Sequence, residues 1–124
     1  MQPCPCGSTR ALGACCGPYL DGETPAPTAE ALMRSRYSAF VLDRRGYLLQ
    51  SWHPSTRPLS IDAPLPGRRY LGLEVKRALQ TGDDSAVVDF VARSKLAGRA
   101  QRLHETSRFV REGGRWFYLD GEFS

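Results

Sequence analysis

The sequence predicts an α+β domain in which helices cover one face of a curved four-stranded antiparallel sheet, preceded by a small cysteine-bearing knot. Three observations predict it. All four cysteines fall within the first 16 residues. Apolar residues then recur at helical spacing through residues 29–43. From Tyr70 onward they alternate with period two, broken at intervals by turn residues. Helices followed by a run of strands are the order expected of an α+β fold.

Each element has a local reason. Residues 1–20 form the knot; they are rich in Cys, Gly and Pro and hold too few apolar side chains to fold alone. Residues 21–28, Asp-Gly-Glu-Thr-Pro-Ala-Pro-Thr, read as a linker with two prolines. The main domain is expected over 29–124. Thr28 has the chemistry of an N-cap, and Glu30 suits a first turn. A helix should run from there to about Asp43, with Leu32, Met33, Tyr37, Phe40 and Val41 as its apolar stripe. Arg36 falls inside that stripe. Gly46 to Trp52 reads as a second, shorter helix stopped by Pro54. Residues 54–69 are Pro-rich and should wrap the surface. Tyr70–Gln80 is the first strand, followed by the turn Thr81-Gly82-Asp83-Asp84. Ala86–Leu96 and Arg99–Arg111 are the second and third strands, joined at Ala97-Gly98. Gly113-Gly114 is a hairpin turn into Arg115–Asp120, the fourth.

Composition narrows the class. The chain has 124 residues, 41% hydrophobic and 24% charged, which is globular rather than disordered. No apolar run is long enough to span a bilayer. Met1 to Ser8 lacks the apolar core of an export signal, so the expected compartment is the cytoplasm. The formal net charge of +4 is too small to imply nucleic-acid binding by itself. Charge is uneven, however. Residues 34–77 carry nine basic and three acidic groups, so any electropositive face should come from the middle third.

The cysteines are the most specific feature. Cys4-Pro-Cys6 and Cys15-Cys16 are two close pairs separated by eight residues. Such pairs can place four thiolates around one tetrahedral ion, and zinc suits four sulfurs best. Four protein ligands leave no open position, which makes the site structural rather than catalytic. Two disulfides or four free thiols are the alternatives. Adjacent cysteines strain a mutual disulfide, and a reducing cytosol disfavours cross-pairing.

Cys-x-Cys, eight residues, then Cys-Cys resembles the SEC-C zinc-binding motif, and Cys4-Pro-Cys6-Gly7-Ser8 matches its opening. That motif is known from the tail of the SecA translocation ATPase, where it serves protein contacts. Further segments resemble the YchJ family: Leu32 to Phe40, Tyr47 to Pro54, His104 to Glu112 and Gly114 to Gly121. The resemblance implies a SEC-C motif followed by a domain similar to nuclear transport factor 2, a cone of curved sheet closed by helices. It implies a fold and a metal, and no activity.

Other residues are candidates for a pocket. On the third strand Leu103, Glu105, Ser107 and Phe109 share one face, and the apolar pair marks it as the inner one. A buried Glu105 needs a partner, and Arg36 on the helix stripe is the expected one. A structural tie between helix and sheet is the plainer reading of the same pair. His53, beside Trp52 and before Pro54, has a pKa range suited to general acid or base work, though a capping or surface role is the plainer reading. His104 should face away from the cone. Arg36, Tyr37, Trp52, His53 and Glu105 are therefore the pocket candidates, and Cys4, Cys6, Cys15 and Cys16 the metal ligands. The expected work is binding, with the knuckle contacting another protein. A small-molecule or enzymatic role in the cone is the alternative. RNA or ribosome association through the basic middle third is a third reading. No residue constellation points to a membrane.

Overall fold

The computed structural model of the protein describes residues 2–123. Three helices precede the sheet: α1 (Gly17–Leu20), α2 (Ala29–Leu42) and α3 (Arg45–Gln50). The strands β1 (Arg69–Gly82), β2 (Ser85–Leu96), β3 (Arg99–Glu112) and β4 (Arg115–Phe123) follow and pair in that order, all antiparallel. Three register shifts along β1 and one between Arg108 and Phe109 on β3 bend the sheet, because a bulge increases local twist. No helix among the described residues is long and apolar enough to cross a membrane.

α2 begins and ends as its sequence requires. Thr28 Oγ1 accepts from the Ala31 N–H at 3.0 Å, and Glu30 lies in the first turn. Asp43 then takes the left-handed conformation at φ 57°, ending the helix. Its buried side differs from the expected stripe. Leu32, Met33 and Tyr37 are buried, but Phe40 is 41% exposed. Ser35 and Ser38 are fully enclosed instead. The cause is that α2 packs against more than the sheet. Ser35 Oγ meets the Tyr47 hydroxyl of α3 at 2.7 Å, and Ser38 Oγ lies 3.6 Å from Cys4 Sγ. Small polar residues let both neighbours approach closely.

α3 is shorter than the sequence suggests. It stops at Gln50, and Trp52 leaves it to bridge Tyr118 of β4 in parallel fashion. The Tyr118 N–H donates to Ser51 O and the His53 N–H to Tyr118 O, at 2.9 and 2.7 Å. These bonds on the open edge of β4 outcompete one further turn of helix. The chain then runs over the surface through 54–68, tied back where Thr56 Oγ1 donates to Leu119 O. β4 also runs three residues beyond Asp120. The ladder continues through Thr106↔Glu122 and Glu105↔Phe123, since backbone pairing does not require apolar alternation.

The main core joins Leu32, Met33 and Tyr37 of α2 to Val88, Phe90, Phe109 and Trp116 of the sheet. A second, smaller core consists of the four cysteines with Leu12, Leu20 and Leu73 packed around them.

Candidate functional site

The knuckle is built by short backbone contacts. Pro3 and Ala11 form an antiparallel bridge, and the Cys4 N–H donates to Arg10 O at 2.9 Å. Gly7 turns the chain at φ +82°, in the left-handed region glycine tolerates. A single 3₁₀ turn over Leu12–Ala14 returns it to Cys15. Gly17 opens α1 where a Cβ would lie 2.8 Å from the Leu12 carbonyl oxygen, so only glycine fits that approach.

These contacts bring all four thiols together, each at most 7% exposed, with the sulfurs within 4.8 Å of one another. Cys4–Cys6, Cys6–Cys15 and Cys15–Cys16 are separated by 3.5, 3.6 and 4.0 Å. A tetrahedral ion with metal–sulfur bonds of ~2.3 Å needs an edge of ~3.8 Å. The residues present therefore fit a metal. Protons are unevenly held in so tight a cluster. The Cys16 thiol pulls Cys6 down to about 4, while that same contact and burial push Cys16 up. A divalent cation would displace the protons that remain.

The knuckle is docked on the main domain. Arg34 of α2 donates from Nη1 to Cys6 O and from Nε to Glu30, each at 2.9 Å. Asp21 forms an ion pair with Arg44, and Leu73 of β1 packs on the cysteine cluster.

Between α2 and the concave face of the sheet lies a cavity of about 350 Å³. Its walls are mainly aromatic and aliphatic. Of the five pocket residues expected from sequence, Arg36, Tyr37, Trp52 and Glu105 line it. His53 does not. Its Nδ1 meets Ser55 Oγ and its Nε2 meets Glu112 Oε2, both at 2.7 Å. The edge pairing with Tyr118 turns residue 53 outward, and its ring packs against Phe117. His104 also points away from the cone, 2.6 Å from Asp89 Oδ1 on the outer face.

The direct Arg36–Glu105 pair expected from sequence is not formed. Both residues are buried, at 6% and 7% exposure. Arg36 Nη1 donates instead to Leu48 O at 2.8 Å and to Ser51 Oγ at 2.6 Å. Glu105 Oε2 accepts from Ser107 Oγ at 2.8 Å and from the Tyr118 hydroxyl at 3.0 Å. Tyr118 stands between them, its ring centroid 4.5 Å from the Arg36 guanidinium carbon. Burial lowers the Arg36 pKa to about 10, which leaves it charged at neutral pH. Burial, reinforced by the nearby Glu105 carboxylate, raises that of Tyr118, which keeps its hydroxyl a donor.

Sequence reasoning missed Ser107 and Tyr118 as site residues. Tyr118 was visible as the inward neighbour of Trp116 on an alternating strand, two positions on. It also missed Gly121, where a Cβ would fall on the Glu105 carboxylate. A glycine inside a strand is the mark of such a close approach.

Residues 28–121 match the family model described as YchJ, middle NTF2-like domain. A UPF0225 protein of Methylibium petroleiphilum is 67% identical over 97% of this chain and 88% of its own length. One from Bordetella pertussis is 54% identical over 96% of this chain and 91% of its own length. The solution structure of a SEC-C motif containing protein from Rhodopseudomonas palustris superposes with a TM-score of 0.87 at 35% identity, covering 98% of both chains. The crystal structure of a SEC-C motif containing protein from Psychrobacter arcticus gives 0.83 at 32% identity, covering all of this chain and 84% of that one.

Proposed function

The chain belongs to the YchJ family of UPF0225 proteins, and from that premise we propose that it is a small-molecule-binding protein whose cone is braced by one structural zinc. The observation that carries this reading is the cavity of about 350 Å³, into which the fold directs a buried Arg36 and a buried Glu105 without pairing them. Burying two charges that do not neutralise each other directly is costly. Ligand pockets of this size combine apolar walls with a few placed polar groups, and this cavity has that character.

Zinc is the ion that suits Cys4, Cys6, Cys15 and Cys16. Four thiolates with no other donor favour a soft-tolerant, tetrahedral, redox-inert cation. Its work here is mechanical. The knuckle is held by Arg34 on α2, the same helix that carries Arg36 and Tyr37 into the cavity. The basic middle third lends less to RNA association than its composition suggests. Arg34, Arg44, Arg45 and Lys76 pair with acidic neighbours, and Arg36 is buried.

Amide NMR of the metal-loaded full chain, titrated with small neutral aromatics (phenol, indole, benzamide), tests the pocket. Saturable shifts should cluster at Phe90, Glu105 and Tyr118 and vanish in Ala92→Trp, which fills the cavity. Shifts spread over the outer surface, or unchanged in the filled variant, would refute it.

A further inference from the structure

The polar groups of the cavity are specific enough to name a ligand class. A guanidinium carries five N–H donors. Arg36 uses only Nη1, toward Leu48 O and Ser51 Oγ. Its carbon lies over the rings of Tyr118 and Trp52, at 4.5 and 5.0 Å from their centroids. Among the described residues, no hydrogen bond is made by Nε or Nη2 and no carboxylate pairs with the group. An edge with two parallel donors is the fork that a carboxylate meets with both oxygens.

The balance of charge in the cavity agrees. Among the described residues Glu105 is the one acidic residue of the lining, against Arg36, Arg68 and Arg93. Arg93 is exposed at the mouth and pairs with Glu74, which lies outside the lining, whereas among the described residues Arg68 reaches only the neutral Ser94 and Gln101. The lining therefore carries an excess of positive charge, which draws an anion. Glu105 in turn uses only Oε2. Among the described residues nothing donates to Oε1, which leaves an acceptor for a hydroxyl or amino group. Tyr118 stands between these two poles, and beside them the walls are aromatic, with Tyr37, Phe90 and Phe109.

We propose that the cavity binds a small aromatic carboxylate bearing a hydroxyl or amino substituent. The carboxylate takes the Nε and Nη2 edge of Arg36, the ring lies among Tyr37, Phe90 and Phe109, and the substituent donates to Glu105. This assignment rests on the reading of the cavity as a ligand site.

The test uses meta-hydroxybenzoate, benzoate and meta-hydroxybenzamide against the metal-loaded full chain, followed by amide NMR and calorimetry. The hydroxy acid should bind about tenfold tighter than its amide, the gain of a charge-assisted fork. It should also bind tighter than benzoate, and Glu105→Gln should shrink that second difference. Arg36→Met should bring acid and amide to equal affinity. Arg36→Lys, which keeps the charge but not the fork, should leave an intermediate preference. Equal binding of acid and amide by the natural protein, or an acid preference that survives Arg36→Met, overturns the ligand class. If the amide and the neutral aromatics bind the cavity and the acids do not, the class fails and the pocket stands. If no probe of either kind moves the cavity amides, both readings fall.

Discussion

Tyr118 holds Arg36 on its ring and Glu105 on its hydroxyl, so that two buried, opposite charges share one aromatic side chain without touching. The ring gives the guanidinium a cation–π contact. The hydroxyl gives the carboxylate a second donor beside Ser107. This arrangement separates the two poles of the cavity and is the first thing that mutation should probe.

Tyr118→Phe keeps the ring and removes the donor. The expected cost is about 1.5–3 kcal/mol, the usual loss when a buried hydrogen bond to a charged group is broken. Tyr118→Leu should cost more, because the platform beneath Arg36 also goes. Urea denaturation of the two variants checks the order.

Tyr37, Tyr47 and Tyr118 all hold their protons above the ordinary tyrosine range, each chiefly through burial. The sign follows from proton linkage. Above pH ~10 unfolded tyrosines ionise while these three stay protonated, so the unfolded state binds fewer protons. Stability should be insensitive to these groups below pH ~10 and fall above it. Tyr118→Phe should make that alkaline fall shallower. Thermal melts across the alkaline range, for both proteins, decide the point.

Metal removal should unravel the knuckle before the cone. Protein purified without added zinc is expected to hold about one equivalent, and Cys6→Ser to lose it. Hydrogen exchange should then quicken over residues 2–17 and change little in β2 and β3. A metal-free protein with four titratable thiols and an ordered knuckle would contradict this.

Docking of the knuckle depends on Arg34, which reaches Cys6 O and Glu30 from α2. Backbone order parameters for residues 4–17 should match those of the sheet in the natural protein. In Arg34→Ala they should drop toward the flexible range, below about 0.6. Metal content should stay near one equivalent, since no ligand is touched.

Two glycines should resist alanine and a third should not. Gly17→Ala sets a Cβ 2.8 Å from a backbone oxygen that cannot move aside, and it should weaken metal retention. Gly121→Ala drives the Glu105 carboxylate from its seat, at an expected cost of about 1–3 kcal/mol. Gly13→Ala meets nothing within 4 Å and should be silent. Thermal melts with metal analysis separate the three.

Much of this protein is legible in its residues alone. Two cysteine pairs at short spacing mark one four-sulfur site, because so few residues can reach no other partner. Thr28 and Asp43 bound α2 through purely local chemistry, a hydroxyl cap at one end and a left-handed stop at the other. Alternation places Glu105 and Phe109 on the inner face of β3, since a strand has only two faces. Only the tertiary structure decided what those inward residues meet. Arg36 turns to the Leu48 carbonyl and Ser51 because α3 brings a backbone acceptor within 2.8 Å, nearer than any carboxylate of the described residues. His53 faces outward because the edge of β4 captures residues 51–53 by backbone bonds, which no side-chain pattern encodes. Periodicity states which face a side chain takes. Its partner across a cavity depends on where separate elements come to rest, and that is fixed by packing distances far apart in the chain.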